Sequence, residues 1–98
     1  MLPLRLRVLV ETEEFGEQRS ALGDLERVDM ALSYGMELIA RNAERFPVLY
    51  EPKQIRMMRL TGMHLLKHSP PCNVLVYFAI RDAETVDMIY ILKDDPEP

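Results

Sequence analysis

The segment 73–80, NVLVYFAI, is apolar on both alternating faces: Val74, Val76, Phe78 and Ile80 on one, Leu75, Tyr77 and Ala79 on the other. Successive residues of a strand point to opposite sides of a sheet, so a run of this kind belongs in the middle of a sheet and not at its rim. That places the centre of the fold. The RDAE segment (81–84) turns the chain, and residues 85–92 return as the next strand. In that strand Val86, Met88, Tyr90 and Leu92 fall opposite Asp87, Ile89 and Ile91.

The remaining segments are read around this hairpin. Strict alternation from Leu4 to Val10 puts Leu4, Leu6, Val8 and Val10 on one face and Arg5 and Arg7 on the other, the pattern of a half-buried strand. Phe15, Arg19 and Leu22 have helical spacing before Gly23, which predicts a short helix. Asp24 is a suitable N-cap for a longer helix, in which Leu25, Val28, Ala31, Leu32, Gly35, Met36, Leu38, Ile39, Ala43 and Phe46 form one apolar stripe. Pro47 ends it, because proline disfavours helical geometry at the residue before it. Gly35 weakens such a helix by about 1 kcal/mol relative to alanine, so it marks either a close approach or a tolerated defect.

After that helix, VLYEPKQ (48–54) is expected to be a loop. Strands are expected at 54–60 and 63–69, as a hairpin turning at Thr61–Gly62 or as one bent strand. The order β-α-α-β-β-β predicts an α+β domain: a mainly antiparallel sheet of four to five strands with two helices packed on one face.

At 98 residues the chain supports one core and hence a single domain. With 48% hydrophobic and 29% charged residues, intrinsic disorder is not expected. No apolar run reaches the roughly 20 residues that a bilayer requires, and the lone Cys72 excludes an internal disulfide and a cysteine zinc cage. The chain therefore reads as cytoplasmic, with no membrane partner. A net charge of −4 argues against broad nucleic-acid binding, since neutralising phosphates needs a surplus of lysine and arginine.

The segments ARNAERFPVLYEP, RMMRLTG, VLVYFAI and VDMIYIL, in this order, resemble the RelE/ParE toxin superfamily of bacterial toxin-antitoxin systems. The resemblance covers most of the chain. It implies an antitoxin protein as partner, and as target either the ribosome and its mRNA or DNA gyrase. The ribonucleases of that superfamily use lysines of the middle strand, and Lys67 matches one such position. They also use an arginine where this chain has Val74, and an arginine with a tyrosine or histidine beyond the last strand, where this chain has KDDPEP. Aspartates in that place repel a phosphate instead of stabilising it. The resemblance thus favours a toxin-component homologue acting by protein binding.

Two alternatives stand beside it. One is a ribosome-dependent or degenerate mRNA endoribonuclease, with Lys67, Arg59, His64 and His68 as the candidate catalytic groups. The other is a homodimeric structural or small-ligand-binding module. His64 and His68 share one face of either a strand or a helix, but no third ligand of matching spacing makes a metal site with them, and no cofactor is implied. Arg5, Arg7, Arg56, Arg59 and Lys67 would form an anion-binding groove if they met on the sheet face opposite the helices; an ordinary solvated face is the alternative. Met57 and Met58 suit a partner groove if exposed together and otherwise fill core gaps. Arg5, Arg7, Arg56, Met57 and Met58 are thus the candidate binding residues. Asp94 and Asp95 belong to a solvated tail on this reading.

Overall fold

The protein is described by a computed structural model over residues 6–23 and 25–94. Its elements are β1 (Val8–Glu11), α1 (Glu13–Ala21), α2 (Leu25–Asn42), β2 (Val48–Tyr50), β3 (Ile55–Met63), β4 (Cys72–Ile80) and β5 (Thr85–Asp94). Single 3-10 turns at Ala43–Arg45 and Glu51–Lys53 flank β2. The sheet order is β1-β5-β4-β3-β2, with β1 and β5 parallel and every other pair antiparallel. The expected α+β architecture is present, and the segment apolar on both faces occupies the middle position.

The helices begin and end for local reasons. Thr12 caps α1: its hydroxyl accepts the Phe15 N–H at 3.2 Å, and Glu13 and Glu14 in the first turn complement the helix dipole. Beyond the end of α1, Gly23 adopts φ 146°, a value open to glycine and to few other residues. The apolar stripe of α2 buries Val28, Leu32 and Ile39, and Ala43 is buried in the 3-10 turn that follows. The proposed cap Asp24 lies outside the described residues. With Phe15, these side chains meet Met58, Val74, Val76, Phe78, Val86, Met88 and Ile91 in one core cluster. Phe46 stands edge-on to Phe78 at a centroid distance of 5.6 Å.

Gly35 marks a close approach. A Cβ there would lie 2.7 Å from the Met58 Cε and 2.9 Å from a Leu60 methyl, so the missing side chain lets α2 settle onto β3.

Five expectations change. The segment expected to be a loop at 48–54 contains β2 and a 3-10 turn. Of the two alternatives at Thr61–Gly62 the hairpin turn is absent and the bent strand is present as far as Met63: β3 runs through with a register shift between Leu60 and Met63, and Gly62 at φ 70° supplies the left-handed residue of a bulge. Beyond Met63 the expected strand is a connection instead, in which the Leu65 side chain is buried and Ser69 donates from both its N–H and its hydroxyl to the Leu66 carbonyl. In β1 the apolar alternation is present but faces the other way: Leu9 packs on the core, while Val8 is 64% exposed and Leu6 53% exposed.

The fifth change is in β5. Phe78 pairs with Met88 but Tyr77 with Tyr90, so Ile89 is an extra residue and the alternation flips there. Ile91 consequently points into the core, and Tyr90 and Leu92 point away from it. Among the described residues no helix is long and apolar enough to cross a membrane.

Candidate functional site

Both helices lie on one side of the sheet, and the opposite side is the most distinctive surface of the molecule. On β4 that side carries Leu75, Tyr77 and Ala79, which pair with Arg59, Met57 and Ile55 of β3. On β5 the facing residues are Leu92, Tyr90 and Asp87, with Ile89 added by the bulge. Val10 of β1 pairs with Asp87 and Val8 with Thr85, so these exposed valines stand at the sheet edge beyond two polar residues of β5. A groove of roughly 670 Å³ crosses this face, with Ile55, Tyr77, Ala79, Ile89, Tyr90 and Leu92 along it and Lys53 and Glu14 also at its walls. Ala79, the smallest side chain along it, lies between Ile55 and Asp87.

The charges around the groove are mostly matched within the chain. Arg59 meets Asp94 at 3.4 Å. Arg81 binds both carboxylate oxygens of Asp87, and that bond and charge raise the guanidinium pKa. The Tyr90 hydroxyl donates to Glu14 at 2.7 Å, and accepting that bond lets the carboxylate hold the phenol above its ordinary range. In the turn before β5, the Glu84 N–H donates to Asp82 and holds that carboxyl low. Lys53, exposed beside the groove, has no ion-pair partner among the described residues.

The candidate residues from the sequence are dispersed. Arg7 and Arg56 lie on the helix side of the sheet: Arg7 binds the Glu44 carboxylate, while Arg56 donates to the Glu44 carbonyl at 3.0 Å and the Phe46 carbonyl at 2.6 Å. They fasten the end of α2 and its 3-10 turn to the sheet. The Arg7 bond holds the Glu44 carboxyl below its usual value. Arg59 alone of the described arginines in that set stands on the helix-free face, and Arg5 lies outside the described residues. No five-cation groove is assembled. Met57 and Met58, as strand neighbours, point to opposite sides: Met58 is in the core at 3% exposure and Met57 lies half-buried on the open face.

His64, Lys67 and His68 fall in the connection between β3 and β4. The His64 Nδ1 lies 2.9 Å from the Ser69 carbonyl, and His68 has φ 66°. Lys67 and His68 make no hydrogen bond or ion pair among the described residues. Asp94 is the last residue of β5 and is paired, so it is part of the sheet and not of a tail; Asp95 lies outside the described residues. Among the described residues no group of three histidine, cysteine or carboxylate side chains is placed to hold a metal ion.

Sequence reasoning missed Tyr77, Ile89, Tyr90, Leu92, Lys53 and Glu14 as members of one surface. One signal was available. A strand apolar on both faces belongs to a sheet covered on both faces, and two helices on one side leave the second face uncovered. No protein-family model matches the chain, and no curated protein matches it.

Proposed function

We propose that this domain works by binding another protein in the cytoplasm, as a toxin-component homologue of RelE/ParE type held by an antitoxin. The observation that supports binding is the helix-free face, where apolar side chains from β3, β4 and β5 line one groove. Exposed apolar patches of this extent, rimmed by charge, mark interaction sites on soluble proteins. The toxin-component part of the reading rests on the resemblance of the strand and helix-end segments. On this proposal a partner segment lies across the open face and buries Tyr77, Tyr90 and Leu92.

The opposing ribonuclease reading draws less support, because Arg59 is neutralised by Asp94 and stands on the sheet, whereas His64, Lys67 and His68 sit in a connecting loop. The test is co-expression with the product of the adjacent gene. Co-purification at equal stoichiometry, lost in Leu92→Lys, and growth arrest relieved by that product are expected. Absence of both binding and any growth effect would sink the proposal. Messenger RNA cleavage abolished by Lys67→Ala would replace it with the endoribonuclease reading.

A further inference from the structure

We infer that the helix-free face is self-complementary and that, in the absence of another protein, it is covered by a second copy of this chain. This goes beyond the partner reading above and does not depend on it.

Three observations converge. The first is chemical polarity along the groove. Its middle is apolar, with Ile55, Tyr77, Ala79 and Leu92, while Lys53 comes from the segment entering β3 and Glu14 from the first turn of α1, beside β5. In the order β1-β5-β4-β3-β2 these lie toward opposite edges of the sheet. A two-fold axis through the middle of such a groove sets Lys53 of each copy against Glu14 of the other, and an isologous interface requires this reciprocity. Glu14 accepts the Tyr90 hydroxyl at its Oε1, which leaves its second oxygen to answer a lysine.

The second is charge. Arg59–Asp94 and Arg81–Asp87 are already neutralised within the chain, so two copies of the face meet without opposing unpaired like charges. A strongly basic or acidic partner would find no matching field here.

The third is area. β3, β4 and β5 have 9, 9 and 10 residues. At about 4.8 Å between strands and about 3.3 Å per residue they and β1 present roughly 500 Å² in projection. Side-chain relief brings that to the order of the roughly 800 Å² each partner buries in a stable interface. Two sheets packed face to face at about 10 Å is a common way for antiparallel sheets to bury a second apolar face.

The experiment is sedimentation of the full chain alone, from low micromolar to submillimolar concentration. A concentration-dependent species of twice the chain mass is expected. Leu92→Lys, at an exposed position outside the core, should weaken association at least tenfold with an unchanged thermal midpoint. Lys53→Glu and Glu14→Lys should each weaken it severalfold, and the double exchange should recover most of that loss. A monomer at every concentration overturns the inference. So does a dimer indifferent to Leu92→Lys, or a double exchange that is the sum of its two losses. A monomer that still binds the adjacent gene product would refute self-association and leave the partner reading intact.

Discussion

The side-chain oxygen of Gln18 accepts the backbone N–H of Ile91 at 2.9 Å, and so α1 closes the edge of β5 beyond the point where β1 stops. The pairing of β1 with β5 ends at Glu11 and Met88, which leaves the next stretch of β5 without a strand neighbour on that side. Thr12 covers the first part, donating its N–H to the Met88 carbonyl at 3.0 Å and its hydroxyl to the Ile89 carbonyl at 3.3 Å. The bulge that turns Tyr90 outward is therefore pinned on both sides, by the cap residue Thr12 before it and by Gln18 of α1 after it.

Removing the Gln18 acceptor leaves a part-buried N–H unsatisfied. Gln18→Ala should destabilise the fold by about 1–2 kcal/mol, while Gln18→Glu, which keeps an acceptor, should lie within about 0.5 kcal/mol of the parent. Denaturant unfolding measures both. Amide exchange at Ile91 should accelerate in the alanine variant alone, and equal exchange in all three proteins would contradict the assignment.

Gly35 separates helix propensity from packing. An alanine there gains about 1 kcal/mol of helix propensity but pushes on the flexible ends of Met58 and Leu60, so Gly35→Ala should change stability by less than about 1 kcal/mol. Gly35→Val cannot be accommodated by those ends and should lose about 2–3 kcal/mol through overpacking. A valine variant as stable as the parent would show that α2 does not approach β3 this closely.

Tyr90 should titrate late. Its pKa is raised by Glu14, so the bonded phenol contributes stability below the ordinary tyrosine value of about 10, and that contribution is lost as pH rises through the higher folded value. Ultraviolet difference titration of the chain should show a tyrosine component ionising above the ordinary range. In Glu14→Gln that step should move down toward the ordinary range. An unchanged titration would mean the hydroxyl does not bond Glu14 in solution.

Acid should act on the Arg7–Glu44 pair in the opposite sense. The Glu44 carboxyl is held low, chiefly by its bond to Arg7, so its contribution is complete above the ordinary glutamate value of about 4.3 and disappears as pH falls through the folded value. Because Glu44 is largely exposed, the contribution is at most about 1 kcal/mol. The parent should exceed Glu44→Gln in stability by up to that amount at neutral pH, and the two should converge as pH falls through the lowered folded value of Glu44. A difference that does not change with pH across the acid range would assign the effect to something other than the ion pair.

Legibility in the sequence follows the range of the interaction. The stripe on α2 and the double-faced run of β4 are visible because both depend on periodicity within one segment. Thr12 was legible in principle as well, since a threonine before two glutamates and a helical run is a capping signal. The candidate surface was harder, because it depends on three events that a single segment does not encode. Ile89 must bulge, the β1 alternation must face away from the helices, and residues 64–71 must leave the sheet. A strand pattern gives two faces without naming the inner one, and one inserted residue exchanges them.

The sequence by itself determined the two helices and their place on one side, the strands on either side of residues 73–80 and the central place of that segment, because hydrophobic period and local breakers act over a few residues. Only the tertiary structure decided which face of each strand meets the helices. Arg7 can occupy the helix side of the sheet because Glu44, at the far end of α2, receives it there. Once that contact and the bulge at Ile89 are in place, Val8, Val10, Tyr90 and Leu92 are left together on the uncovered face, and no alternation read along the chain could have gathered them.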